Sequence, residues 1–149
     1  MEKRQPTSVL DIGIGYGKYG FLAREYGHAK IVDGVEAEKR YITPIQKSIY
    51  DSLYLVDITK ELDVIARVYD LVLFIDCIEH MSKEEGHMVL QHFKCPIIVS
   101  TPAMSFGQVI KDYPFEEHKS EWVPEDFLDY PCERIVDPEG KALIVVINP

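Results

Sequence analysis

The sequence predicts an α/β fold: a mostly parallel, doubly wound sheet that ends in an antiparallel β-hairpin. Three observations lead there. Apolar, β-branched runs alternate with amphipathic stretches, the mark of a parallel sheet crossed by helices. One run, Tyr69 to Asp76, is nearly all apolar, as expected for a strand covered on both faces. The last two runs are joined only by the turn Asp137-Pro138-Glu139-Gly140.

Each element can be read in order. The first strand is Ser8 to Ile12, followed by a glycine-rich turn and a short helix from Lys18 to Tyr26, with Gly27 as its stop. The second strand is Ala29 to Glu36. A helix is predicted over Glu38 to Tyr50, delayed or broken at Pro44, where a proline cannot sit inside a helix. The third strand is Asp51 to Val56, and Asp57 with Thr59 offers an N-cap for one helical turn. After the fourth strand, Ser82 caps a helix to Phe93, with Glu84 and Glu85 in its first turn, where the helix dipole favours negative charge. The fifth strand is Pro96 to Thr101. Residues 102–121 lack periodicity and are long for a connection, so they are expected to act as a lid or substrate loop. A short helix over Pro124 to Tyr130 starts on proline. Cys132 to Val136 and Ala142 to Ile147 form the hairpin.

Composition narrows the function classes. A chain of 149 residues predicts one domain, 1–149, able to bury roughly 70% of its unfolded surface. The net charge of −9 opposes approach to phosphates, so bulk nucleic acid is not expected as a substrate. Three cysteines with no CxxC argue against a disulfide framework or zinc ribbon and fit a reducing cytoplasm. The N-terminus has no apolar h-region, and no apolar run reaches the ~20 residues that span a bilayer, so no membrane association is expected.

The strongest chemical signal is Val9-Leu10-Asp11-Ile12-Gly13-Ile14-Gly15-Tyr16-Gly17-Lys18-Tyr19-Gly20. Here a strand runs into a glycine turn that opens a helix. Glycines let the backbone approach a ligand, and the helix N-terminus offers N–H groups to an anion. Gly15, Gly17 and Gly20 also satisfy the dinucleotide fingerprint GxGxxG. Against that stand Asp11, which would repel a pyrophosphate, and the strand end at Ile12, which makes Gly13 lead the turn. Glu36, at the end of the second strand, can accept hydrogen bonds from two ribose hydroxyls. Asp57 can accept from an adenine amine, with Ile58 packing on the ring; the other reading of Asp57 is a plain helix cap. Asp76 and His80 leave the carboxyl end of the fourth strand, where open α/β sheets hold their ligands. His80 suits a general base, since its ordinary pKa lies near neutrality, or else is a structural histidine. His118 and Trp122 lie four apart, and a helical turn would put them on one face of the lid. A Cys77/Glu79/His80 metal site lacks ligand spacing, and no metal is expected.

In order, VLDIGIGYG, VDGVE, LVDIT, YDLVLFIDCIEHM, IIVSTP and HKSEW-x-PEDF resemble the class I S-adenosylmethionine (SAM) dependent methyltransferases. The resemblance runs from about Ser8 to Phe127 and is greatest to the small-molecule group of ubiquinone, sugar and natural-product type. It implies a Rossmann-like, seven-stranded sheet with SAM across the carboxyl ends of the first strands. By position, Asp11, Gly13, Gly15 and Gly17 would hold the methionine moiety, Glu36 the ribose, and Asp57 with Ile58 the adenine. Asp76 would border methionine and substrate, and His80 matches the histidine of the family's (L/I)EH element. The implied reaction is methyl transfer to an O, N or C nucleophile of a small molecule, with His80 or His118 as base. The sequence departs from the family in having only seven residues before the first strand, where similar enzymes carry capping helices. The pocket is then open, covered by residues 102–121, or completed by a second copy or another subunit. A non-catalytic SAM-binding subunit and an NAD(P)-dependent oxidoreductase are the alternatives. The (D/N)PP(Y/F) signature of nucleic-acid amino-methyltransferases is absent, in agreement with the acidic charge.

Overall fold

Seven strands form one sheet: β1 (Ser8–Ile12), β2 (Ile31–Glu36), β3 (Ser52–Leu55), β4 (Leu71–Ile75), β5 (Ile97–Pro102), β6 (Cys132–Val136) and β7 (Ala142–Ile147). Their order is β3-β2-β1-β4-β5-β7-β6. These positions come from a computed structural model that describes residues 5–103, 115–137 and 139–149. The doubly wound, seven-stranded sheet with its terminal hairpin is as the sequence predicts. The chain divides into two compact units, Met1–Leu73 and Phe74–Pro149, with the division inside β4.

In the first unit β1 pairs parallel with β2, Ser8 opposite Ile31 through Ile12 opposite Val35, and β2 pairs parallel with β3. Both long strands are buried over nearly their whole length, so Val9, Leu10, Ile12, Val32 and Val35 form a core layer. Helix α1 (Lys18–Glu25) follows the glycine turn, and its N-cap is Gly17 at φ 84°. The predicted helix over Glu38 to Tyr50 is instead a 3-10 turn, Lys39–Tyr41, followed by α2 (Pro44–Ile49). Pro44 is the reason. It occupies the first helical turn, where no N–H is needed, and Thr43 before it caps the helix with Gln46 closing a capping box. After β3, Asp57 accepts from the Thr59 N–H and hydroxyl at 3.1 and 2.7 Å and sets the expected turn. A 3-10 turn over Leu62–Val64 follows, which the pattern did not predict.

In the second unit β5, β7 and β6 are antiparallel neighbours, with Ile97 opposite Ile147 and Cys132 opposite Ile147 on the other side. Alternate residues of β7 (Leu143, Val145, Ile147) are buried, the period-two signature of a strand. The hairpin boundaries match the prediction. Asp137 makes the turn, its carboxylate accepting from the Lys141 and Ala142 N–H groups at 2.9 and 3.0 Å. Helix α3 (Lys83–His92) begins at the predicted Ser82 cap, with Glu85 completing a capping box. The short helix expected over Pro124 to Tyr130 is a 3-10 turn, Pro124–Phe127.

Trp122, Phe127 and Ile78 are buried at the centre of this unit. Among the described residues no helix is long and apolar enough to cross a membrane.

Candidate functional site

The glycine turn after β1 is built as the sequence predicts. β1 ends at Ile12, and the Gly13 N–H donates to the Val35 carbonyl at 2.9 Å. Gly13, Gly15 and Gly17 have φ of 76°, 47° and 84°, in the left-handed region where a side chain is strained. A Cβ on Gly15 would meet nothing within 4 Å, so this part of the turn faces open space.

Glu36 holds the turn. One carboxylate oxygen accepts from the Gly15 N–H at 3.0 Å, and the other from the Glu38 N–H at 2.8 Å. Its side chain is therefore fixed at the end of β2, only 8% exposed. Gln46 of α2 braces the same turn from the far side, its amide donating to the Gly15 carbonyl at 3.1 Å. The sequence reading does not single out Gln46. Its one visible signal is the capping box with Thr43, which explains only half of the side chain.

Asp11 lies beneath the turn and is 1% exposed. The Tyr50 hydroxyl donates to it at 2.6 Å. Burial pushes the Asp11 carboxyl up to about 6; the bonds from Tyr50 and the Gly20 backbone oppose this, and the Glu36 charge adds to it. Burial and the Asp11 charge also raise the Tyr50 hydroxyl, which stays a donor. Tyr50 is a second residue that sequence reasoning missed.

Its ring explains Gly20. A Cβ there would lie 2.4 Å from the ring, and one on Gly34 would lie 2.9 Å from it. Gly20, the last glycine of the dinucleotide-like match, is thus the space in which Tyr50 reaches Asp11. We expect Gly20→Ala to destabilise the protein by roughly 1–3 kcal/mol through overpacking, despite the better helix propensity of alanine. Urea denaturation checks this, and an unchanged or raised midpoint would show that the ring yields easily.

Asp57 and Ile58 follow β3. Both Asp57 oxygens are engaged, one by Thr59 and the other by Lys60 at 2.8 Å. Burial works against its ionisation, but these bonds outweigh it and hold the pKa low. Ile58 is 5% exposed.

In the second unit the chain leaves β4 through Asp76, which has φ 48°. Aspartate tolerates this left-handed geometry better than most side chains. Its N–H donates to the Ser100 carbonyl at 2.8 Å, and its carboxylate accepts from the Ser100 hydroxyl at 3.0 Å. The sharp turn leads into a 3-10 turn, Ile78–His80, that carries Glu79 and His80.

Residues 117–122 are strapped onto this turn. The Lys119 and Ser120 N–H groups donate to the Glu79 carbonyl at 2.8 and 3.2 Å. The Ser120 hydroxyl donates to the Met81 carbonyl at 2.7 Å, and the Trp122 indole to the Ile78 carbonyl at 3.2 Å. His80 Nδ1 lies 3.3 Å from the Glu117 carbonyl, and the His80 and His118 rings meet edge to face at 5.0 Å. The strap is not helical. His118 and Trp122 therefore do not share a helix face: Trp122 is buried while His118 lies against His80. The rest of the predicted lid, residues 104–114, lies outside the described residues.

Burial lowers the His80 pKa, so its ring is neutral at physiological pH and keeps one nitrogen lone pair. Glu79 is 3% exposed, and burial, reinforced by the Asp76 charge, pushes its carboxyl up to about 7. The sequence reading placed Glu79 in the (L/I)EH element and weighed it only within a Cys77/Glu79/His80 metal set that spacing does not support.

Searches of the sequence against family models and against curated proteins return no match. Solved structures do match. The plantazolicin methyltransferase BamL, in complex with a triazolic desmethylPZN analog and SAH, aligns at TM-score 0.68 and 11% identity, covering 99% of this chain and 79% of that one. The PH0226 protein from Pyrococcus horikoshii aligns at TM-score 0.67 and 20% identity, covering 99% and 84%. An O-methyltransferase family protein from Burkholderia thailandensis aligns at TM-score 0.66 and 13% identity, covering 97% of this chain and 51% of that one. The chain thus spans about half the length of the Burkholderia protein. At these identities the likeness establishes the fold: a Rossmann-like sheet of the kind found in methyltransferases.

Proposed function

We propose that this chain is a SAM-dependent methyltransferase that acts on an O, N or C nucleophile of a small molecule. The observation that carries the reading is the glycine turn pinned by Glu36 over the buried carboxyl of Asp11. Three left-handed glycines, one of them facing open space, form a cradle for a ligand backbone. Glu36 is held at the strand end by two backbone N–H groups, and a carboxylate at that place suits ribose hydroxyls. Asp11 supplies negative charge for an ammonium group. These features fit the methionine and ribose parts of SAM.

SAM supplies a methyl group on a sulfonium, and attack by the acceptor releases S-adenosylhomocysteine. Gly13, Gly15, Gly17 and Asp11 would bind the methionine part. Asp57 and Ile58 would border the adenine, although the Asp57 carboxylate is already committed to its own turn. In the second unit Asp76, fixed by Ser100, is the carboxylate proposed to serve the acceptor. His80, neutral and with a lone pair to give, would take the acceptor proton, with His118 the other imidazole able to do so. Support for the activity comes from this site and from structural neighbours described as methyltransferases, one of them solved with SAH.

The test is calorimetric titration of cofactor-free protein with S-adenosylhomocysteine, with NADH in parallel. Micromolar binding of the first alone is expected, weakened roughly 10- to 100-fold in Glu36→Gln, since hydrogen bonds to a charged acceptor are worth about 1.5–3 kcal/mol. Binding of NADH alone would move the chain to the dinucleotide class, and binding of neither would remove the reading.

A further inference from the structure

Glu79, His80 and His118 bring one carboxylate oxygen and two imidazole nitrogens within 4.8 Å of one another. We infer that these three side chains form a binding site for a divalent first-row transition-metal ion. The donor set of two imidazoles and one carboxylate suits Zn²⁺, Co²⁺ or Fe²⁺ better than the all-oxygen ions Mg²⁺ and Ca²⁺. Three protein ligands leave at least one coordination position open.

Two independent features point to a cation. The first is Glu79 itself. It is 3% exposed, yet its Oε2 makes no well-formed hydrogen bond among the described residues; the polar group beside the carboxylate is the buried Thr101 hydroxyl, which has no well-formed bond either. None of the ion pairs among the described residues involves Glu79. A buried carboxylate oxygen without a partner is costly, and a metal ion in the gap satisfies it. The second is the orientation of His80. Its Nδ1 faces the Glu117 carbonyl at 3.3 Å, which favours the tautomer with the proton on Nδ1 and the lone pair on Nε2. Metal-binding histidines are held in this way, by a carbonyl or carboxylate on the other ring nitrogen.

The strap explains how the site assembles. Glu79 and His80 are adjacent on a 3-10 turn, and the backbone bonds from Lys119 and Ser120 to the Glu79 carbonyl bring His118 beside them. In a tetrahedral site with bonds of about 2.0–2.1 Å the donors stand about 3.4 Å apart, so from separations of up to 4.8 Å the side chains close by at most about 1.4 Å on binding. His118 is partly exposed and able to make that movement. With a metal bound, both imidazole lone pairs at the centre are committed, so the base role proposed above for His80 or His118 belongs to the metal-free protein.

The inference does not rest on the methyltransferase reading, because its test contains no SAM. Untagged full-length protein is stripped with chelator, dialysed, and titrated with Zn²⁺ by calorimetry and with Co²⁺ by visible absorption. One equivalent is expected to bind with micromolar or tighter affinity, to give Co²⁺ ligand-field bands, and to raise the melting temperature. His118→Ala, at a partly exposed position, should fold normally and weaken binding more than ~100-fold, beyond the 10- to 100-fold typical of losing an outer-shell partner. Glu79→Gln should weaken it comparably, and His92→Ala on α3 should not. Absence of stoichiometric binding to the wild type, or binding that His118→Ala leaves intact, overturns the site.

Discussion

Asp11→Asn is expected to make the free protein more stable at neutral pH while sharply weakening its affinity for S-adenosylhomocysteine. The Asp11 carboxyl titrates near 6 in the fold and near 3.8 when unfolded. Between those values the native state holds a proton that the unfolded state has lost. Stability from this group therefore falls as pH rises from about 4 to about 6, and above that range the ionised carboxylate costs about 3 kcal/mol. Tyr50, Glu36 and the Gly20 N–H are the groups that set this balance. Asparagine keeps an acceptor for the Tyr50 hydroxyl but turns a donor toward the Gly20 N–H, which removes part of the gain. We expect a net stabilisation of roughly 1–3 kcal/mol at pH 7.5 and almost none at pH 4. Urea denaturation at the two pH values reads the difference. The same change removes the charge that would face the ligand's ammonium group, and affinity should drop ~100-fold or more, as loss of a buried charge-assisted partner does. Equal destabilisation at both pH values would show that the carboxylate is not under electrostatic strain. A protein that stores strain at a carboxylate has a reason to, and ligand binding is the reason offered here.

Trp122→Ala should be the most damaging single substitution in the second unit. The indole is 2% exposed, packs 5.3 Å from the Phe127 ring, and donates to the Ile78 carbonyl. Truncation of a buried tryptophan costs about 3–5 kcal/mol, a large share of a total that is typically 5–15. The melting temperature should fall by about 10 °C or more. Trp122→Phe, which keeps most of the volume but loses the N–H, should cost about 1–2 kcal/mol.

Gly86 supplies a sharper check. A Cβ at this α3 position would lie 2.5 Å from the indole, so Gly86→Ala should destabilise the wild type. In the Trp122→Ala background only Ile78 Cγ1, 3.1 Å from that Cβ, remains close, and the same Gly86→Ala should turn stabilising, by less than about 1 kcal/mol, through helix propensity. A sign that does not reverse between the two backgrounds would mean that the indole and Gly86 are not in the contact described. Because Trp122 also anchors the strap that holds His118 beside Glu79, metal binding should weaken in Trp122→Ala even under conditions where the variant is folded.

Much of this molecule is legible one segment at a time. The apolar runs, the Ser82 cap, the hairpin with its Asp137 turn and the glycine turn after Ile12 all follow from a few neighbouring residues. Their physics is local: side-chain period, backbone φ preference and capping hydrogen bonds act within a handful of positions. The same locality explains the misreadings. Pro44 was visible as a helix problem, but whether it delays or breaks the helix turned on Thr43 and Gln46 forming a cap. The spacing of four between His118 and Trp122 would put both on one face only if the strap were helical, and burial of Trp122 with the backbone bonds to Glu79 sets a different path.

The site features that need the fold join residues far apart in sequence. Tyr50 reaches Asp11 across 39 positions, Gln46 reaches Gly15 across 31, and the Glu117 carbonyl meets His80 across 37. No periodicity or motif encodes such a meeting. It arises when strands pair in register and side chains fill the space left by Gly20, Gly34 and Gly86. Thus the residue types for the glycine turn are written in the chain, but the strained Asp11 carboxylate and the Glu79, His80 and His118 cluster exist only once packing closes those distances.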